Sequence, residues 1–147
     1  MDRYIKFTWE SPLKAFVKDA KEKVWEAEIK KKMKELDAIT DLSAISNSEV
    51  HTQNVSSPTE STALKRMKIE HEISRRMNYR KIFDTALNCL TEDEREIFEG
   101  FWLNKRYVSS FVDDYANRHD CSTRHVYFLK NEVDKQFCMN VLMQISK

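Results

Sequence analysis

The sequence predicts an all-helical fold, and three observations support this expectation. The 147 residues include only one Gly and two Pro, whereas sheet proteins need many turn residues because tight hairpins require positive φ angles. Lys, Glu, Ala, Met and Leu, which favour helices, are common instead. In several segments apolar residues recur at the three- and four-residue spacing of a helical face.

Composition also bears on the compartment and on the partners. No stretch approaches the roughly 20 apolar residues that cross a bilayer, and the N-terminus MDRYIKFTWE lacks the apolar core of a signal peptide. The three cysteines are odd in number and far apart, which argues against a disulfide framework. We therefore expect a cytoplasmic protein without membrane contact. The net charge is only +1, so a nucleic-acid surface would require local segregation of charge.

The N-terminal part of the chain, residues 1–40, is predicted to be a helical segment. Ser11 followed by Pro12 is a helix start signal, with Ser as the N-cap and Pro at the first helical position. The expected helix runs to about Ile39. We assign this segment to oligomerisation, as in a homodimer, or to contact with another protein.

Residues 41–60 are rich in Ser, Thr and Asn, and we interpret them as a polar linker because they offer little apolar surface to offset the entropy of ordering. Residues 61–147 form the second predicted domain, which begins with a helix that ends near Leu90. Arg75, Arg76 and Arg80 give this helix a basic bias. A solvated face is the ordinary interpretation of such residues, and a clamp for DNA phosphates is the alternative.

A short helix with a well-marked start follows Leu90. Thr91 and Glu94 have the spacing of a capping box, in which each side chain bonds the backbone of the other residue. The helix is expected to bury Ile97 and Phe98 and to end at about residues 104–105. Gly100 lies inside it, where Gly costs ~1 kcal/mol relative to Ala.

The segment from about 109 to 133 has the pattern of a helix-turn-helix. A helix is predicted from Ser109 or Ser110 to Arg118, followed by a tight turn with Cys121 as a small apolar plug. Ser122 is a suitable N-cap for a last helix that runs to about Val133. In this motif the second helix places its N-terminal half in the major groove of DNA.

The outer side of that last helix carries side chains suited to DNA. Arg124 could read guanine through a bidentate fork and Asn131 could read adenine, whereas Lys130 suits a phosphate. Tyr127 and Phe128 are adjacent, so one of them is expected to be exposed to a thymine methyl group, a stacking base or a protein partner. The predicted DNA-binding residues are Ser122, Thr123, Arg124, Tyr127, Lys130, Asn131, Arg75, Arg76, Arg80, Lys105 and Arg106.

Other chemistries find little support in the sequence. His119, Cys121 and His125 lack the paired short spacings of a zinc site, and we expect neither a metal nor another cofactor. There is no Gly-rich phosphate loop and no nucleophile elbow. The chain is therefore not expected to be an enzyme.

Three stretches carry a family resemblance: KRMKIEHEISRRMNYRKIFDTALNCL, TEDEREIFEGFWLNKR and CSTRHVYFLKNEV. Together they resemble the late-gene transcriptional activators of temperate phages of Gram-positive bacteria, the RinA/ArpU/LtrC type, which end in a domain similar to region 4 of sigma factors. The resemblance covers roughly the last half of the chain. It implies a sigma region 4-like helix-turn-helix bundle and a promoter-binding activator that acts with host RNA polymerase.

Two other functions remain open at this point. One is a small terminase-like DNA-recognition subunit, which would assemble into a ring and work with a packaging motor. The other is a helical protein without DNA affinity that sequesters a regulator through Tyr127 and Phe128, an alternative that the near-zero net charge favours.

Overall fold

The computed structural model describes the backbone of residues 11–49, 56–104 and 106–145, and side chains within residues 12–39, 61–104 and 106–145. Every element in these ranges is helical, which confirms the predicted all-helical class. No helix in this part of the chain is long and apolar enough to cross a membrane. The elements are α1 (Ser11–Lys21), α2 (Val24–Glu49), α3 (Ser56–Asn88), α4 (Glu92–Phe98), a π-helical turn (Glu99–Leu103), α5 (Val108–Arg118) and α6 (Thr123–Ile145).

The helix predicted from Ser11 to Ile39 is in fact two helices, α1 and α2. The break falls at Lys23, whose φ of 55° is left-handed and interrupts the helical backbone. Helix α2 then continues to Glu49 and α3 begins at Ser56. Residues 41–49 and 56–60 are therefore helical where the sequence predicts a linker, and residues 50–55 lie outside the described part. Ser, Thr and Asn lower helix propensity by only a few tenths of a kcal/mol per residue, so they do not stop a helix by themselves.

The chain divides into two compact units that do not follow the boundaries predicted at residues 40 and 60. The first unit combines α1 with the chain from Lys81 onward, and the second extends from Lys23 to Arg80. Within the first unit the ring of Phe16 meets the ring of Phe83 edge to face, with centroids 5.8 Å apart. Helix α1 thus contributes to the core of the C-terminal helices. Its role in oligomerisation or partner contact stays a prediction.

An aromatic cluster forms the centre of the first unit. Phe98 and Phe137 stack with ring centroids 4.4 Å apart, and Phe137 also meets Phe83 at 5.5 Å. Val126 and Val141 are fully buried on the same helix as Phe137. Helix α6 therefore supplies the residues around which α4 and the end of α3 pack.

The start of α4 is the capping box that the sequence predicts. The amide of Glu94 donates to Thr91 Oγ1 at 3.2 Å, and the amide of Thr91 donates to Glu94 Oε1 at 3.0 Å. After Phe98 the helix widens into the π turn, which closes with a 2.7 Å bond from the Asn104 amide to the Glu99 carbonyl.

Gly100 lies in this π turn, and its lack of a side chain is a packing requirement. A Cβ atom at this position would lie 2.3 Å from two carbon atoms of the Phe111 ring, well inside van der Waals contact. The backbone cost of Gly100 relative to Ala is therefore opposed by packing, because an added methyl group would meet the Phe111 ring of α5 and force it to move.

The second unit contains an antiparallel pairing of α2 with the part of α3 that ends at Arg80. The rings of Trp25 and Tyr79 lie 5.8 Å apart, and further along Arg76 bonds the carboxylate of Glu28. A later residue in α2 contacts an earlier residue in α3, so the two helices run antiparallel. Buried apolar residues in the described part of this unit are Trp25, Ile73 and Tyr79.

Candidate nucleic-acid interface

A four-residue connection joins α5 to α6 and sets where α6 begins. The amides of His119 and Cys121 bond the carbonyls of Tyr115 and Ala116, each at 3.0 Å. Asp120 adopts a left-handed φ of 48°, a conformation that Asp tolerates better than most residues other than Gly. Cys121, the predicted plug, is half-buried. The connection is therefore closed by backbone hydrogen bonds, with Asp120 in the left-handed conformation.

Ser122 begins α6 as the sequence predicts. Its Oγ accepts the amide of His125 at 3.1 Å, and the helix starts at Thr123. The predicted end near Val133 is wrong, because α6 continues to Ile145. Phe137, Cys138 and Val141 extend the buried face beyond Val133, and no Gly or Pro interrupts the helix.

Four exposed residues form one stripe on the first half of α6, beside which His125 and Glu132 are also exposed. Arg124, Tyr127, Phe128 and Asn131 follow the spacing i, i+3, i+4, i+7, so they share one side of the helix. Val126 and Val133 occupy the inner side and are buried. Ser122 and Thr123 are exposed at the start of the helix. We refer to Arg124, Tyr127, Phe128 and Asn131 as the outer stripe.

Both aromatic residues of the outer stripe are exposed, whereas the sequence predicts this of one of them. Tyr127 is 47% exposed and Phe128 is 57% exposed. The Tyr127 ring meets the Phe101 ring edge to face at 5.5 Å, and the Phe128 ring lies nearly parallel to His125 at 6.0 Å. Each ring therefore has an aromatic neighbour on one side and solvent on the other.

Lys130 takes part in a network that the sequence did not reveal. Its Nζ lies 3.1 Å from Asp134 Oδ2 and 5.0 Å from the ring centroid of Trp102, while Trp102 Nε1 donates to Asp134 Oδ1 at 2.8 Å. Burial raises the pKa of Asp134, and the hydrogen bond from Trp102 and the charge of Lys130 oppose that shift. Lys130 is thus committed to a buried carboxylate rather than free to meet a phosphate. The i, i+4 spacing of Lys130 and Asp134 is the one sequence signal that could have indicated this pair.

The predicted basic clamp lies in the second unit, and its arginines contact carboxylates there. Arg76 bonds Glu72 at 2.6 Å and also Glu28, while Arg80 Nε lies 2.6 Å from Glu26 Oε1. Arg75 lies 3.6 Å from Glu72. Burial works against the charge of Arg76, yet its hydrogen bonds to Glu72 and Glu28 raise its pKa overall. A phosphate would have to displace these carboxylates, which weakens the clamp interpretation.

The remaining predicted contact residues precede α5. Lys105 lies outside the described residues. The side chain of Arg106 is largely exposed, with Nη1 3.5 Å from Asp114 Oδ2 at the surface. Such an exposed pair contributes little energy, so Arg106 can turn towards another anion at small cost.

Histidines and acids do not assemble a metal site in the described part of the chain, where no group of three or more His, Cys, Asp or Glu could hold an ion. His119 instead stacks on Tyr115, with ring centroids 4.0 Å apart. Residues 81–147 carry eleven Asp and Glu against nine Lys and Arg. Any DNA surface here must therefore depend on where individual basic side chains such as Arg124 and Arg106 lie rather than on the net charge.

Comparisons with known proteins add no further information about this arrangement. No protein-family model matches the chain, and no match was found among curated proteins or solved structures.

Proposed function

We propose that this chain is a sequence-specific DNA-binding transcriptional activator that inserts the first half of α6 into the major groove. The observation that carries the proposal is the outer stripe, which exposes Arg124 and Asn131 on a helix whose inner side is anchored by buried Val126, Val133 and Phe137. In this proposal α5, the connection and α6 act as a sigma region 4-like helix-turn-helix.

The chemistry of the outer stripe suits base edges. A guanidinium can donate two hydrogen bonds to guanine O6 and N7, and a carboxamide can bond adenine N6 and N7. Arg124 and Asn131 are seven residues apart, which is about 10 Å along the helix axis and about three base-pair steps. Ser122, Thr123 and Arg106 would meet the backbone beside this groove. Lys130 would support the helix through Asp134.

The family resemblance adds the biological setting. Activators of the late genes of temperate phages bind a promoter and act with the host RNA polymerase. We place this chain in that role, in the cytoplasm of the host cell, with the exposed residues of α1 and α2 available for dimerisation or polymerase contact.

The test begins with selection of duplexes that bind the full chain from a library of random double-stranded DNA. Affinity for the selected duplex is then measured by fluorescence anisotropy at several salt concentrations. Arg124→Ala should lower affinity roughly ten- to hundredfold, because a bidentate base contact is lost. Lys135→Ala is the matched control, since Lys135 is an exposed basic residue further along the same helix and should change affinity far less.

Two results would contradict the proposal. The selection could enrich no duplex, or Arg124→Ala and Lys135→Ala could weaken binding equally, which would show only general attraction between charges. Circular dichroism of each variant establishes that the helices are intact. Transcription from a reporter placed behind the selected site, in a host with and without the protein, then tests activation.

A protein that sequesters a regulator is the second candidate function. The excess of acidic residues in 81–147 and the exposed ring of Phe128 favour it. It predicts no enriched duplex in the same selection.

A further inference from the structure

The outer stripe combines hydrogen-bonding side chains with aromatic rings, and the two kinds of residue occupy different positions along it. Arg124 and Asn131, which form hydrogen bonds, lie at its ends, and the rings of Tyr127 and Phe128 lie between them. A docking patch for a protein commonly places apolar residues over a broad area with charges at the rim. A narrow line in which polar groups flank two rings corresponds better to successive base edges, where hydrogen-bonding groups alternate with the methyl group of thymine.

The two rings differ in what they can offer to DNA. Tyr127 has one side occupied by Phe101 and carries a hydroxyl group. Phe128 has no polar atom, is more than half exposed, and lies beside His125 with an interplanar angle of 19°. The solvent-facing part of the Phe128 ring is therefore an apolar surface beside His125, one helical turn after Arg124.

We infer that Phe128 recognises the 5-methyl group of thymine between the bases that Arg124 and Asn131 read. This inference rests on the proposed function and makes it more specific. This inference explains why a large apolar ring is exposed in the free protein. A methyl group in the major groove would cover the ring when the base pair opposite Phe128 contains thymine. The selected DNA site should contain thymine at one or two positions inside the contacted steps.

The test uses the selected duplex and copies of it in which uracil replaces thymine at one position at a time. Uracil pairs with adenine as thymine does and lacks only the methyl group. Removal of one buried methyl group should lower affinity about fourfold at one or two positions. Phe128→Ala should bind the thymine duplex about as weakly as the wild type binds the uracil duplex, and should no longer distinguish the two.

Met139→Ala is the matched control, since Met139 is an exposed apolar residue further along the same helix. It should retain the full preference for thymine. Equal binding of thymine and uracil duplexes by the wild type would overturn the inference while leaving the proposed function intact. Retention of the preference in Phe128→Ala would also overturn it. Absence of any bound duplex would remove the proposed function together with the inference.

Analytical sedimentation without DNA tests whether Phe128 contacts a second copy of the protein instead. The mass of the wild type and of Phe128→Ala should be the same. A larger assembly that Phe128→Ala dissolves would assign the ring to a protein contact and overturn the methyl-recognition inference.

Discussion

The two compact units are stabilised in different ways. The first unit has a continuous aromatic core in which Phe98, Phe137 and Phe83 touch in sequence. In the described part of the second unit, the buried apolar residues are Trp25, Ile73 and Tyr79, and ion pairs such as Arg76–Glu28 lie beside them. The candidate DNA-binding helix, α6, packs on the aromatic core of the first unit.

The difference shows why α6 is the better platform for recognition. Close packing fixes side chains to within fractions of an ångström and resists changes of volume, so the outer stripe has a defined position. Ion pairs at the surface are weaker, and salt screens them. Perturbations of volume should therefore affect the first unit most, whereas changes of salt concentration should affect the second unit most, because the Lys130–Asp134 pair of the first unit has a buried carboxylate that salt screens little.

The largest effect is expected for Gly100→Ala. The added methyl group collides with the Phe111 ring, and such overpacking should lower the free energy of unfolding by about 3 kcal/mol. Urea denaturation followed by circular dichroism measures the change. Phe111→Leu in the same chain should recover part of the loss, because the smaller side chain makes room. A Gly100→Ala protein as stable as the wild type would show that the turn and α5 are not packed this closely.

A smaller effect is expected at Asp134. Asp134→Ala leaves Trp102 Nε1 and the Lys130 ammonium without their acceptor and should cost about 2 kcal/mol. Asp134→Asn can still accept from Trp102 and should cost less.

The pH dependence of the same site has a defined sign. Because burial raises the pKa of Asp134 in the folded state, the folded protein binds a proton more tightly than the unfolded protein. The contribution of Asp134 to the free energy of unfolding should therefore be larger at pH values near its ordinary pKa of 3.8. This contribution should be lost as the pH rises through the raised pKa of the folded state. The stability difference between wild type and Asp134→Asn, measured by urea denaturation over that range, isolates this contribution. A difference that stays constant with pH would contradict it.

The smallest effect is expected in the second unit. Arg76→Ala removes the pairs with Glu28 and Glu72 and should lower stability by about 1 kcal/mol, because the guanidinium is partly exposed. The loss should shrink in high salt, whereas the loss from Gly100→Ala should not. Denaturation curves for both variants at low and high salt make this comparison. Equal salt sensitivity would show that the two units do not differ in this way.

Local signals account for what the sequence predicted well. The capping box at Thr91 and the start of α6 at Ser122 depend on residues within one helical turn, and such patterns can be recognised without a fold. The exposure of Arg124 and Asn131 follows from the helical period once the buried face is identified.

Contacts between distant residues account for what the sequence did not predict. The hydrogen bond from Trp102 to Asp134 joins residues 32 positions apart, and Trp102 lies in the π turn, which no local pattern predicts. Similarly, the break at Lys23 has no Gly or Pro to mark it. The helix-turn-helix function itself stays a prediction, because no fold geometry identifies a ligand.

The π turn gives the segment between Phe98 and Asn104 a fixed length. Loss of a single residue there would restore the ordinary helical ladder and rotate the side chains that follow by about 100° around the helix axis. Trp102 would then point away from Asp134. A one-residue deletion in this segment would therefore separate the indole from its carboxylate acceptor and leave the buried Asp134 without that donor.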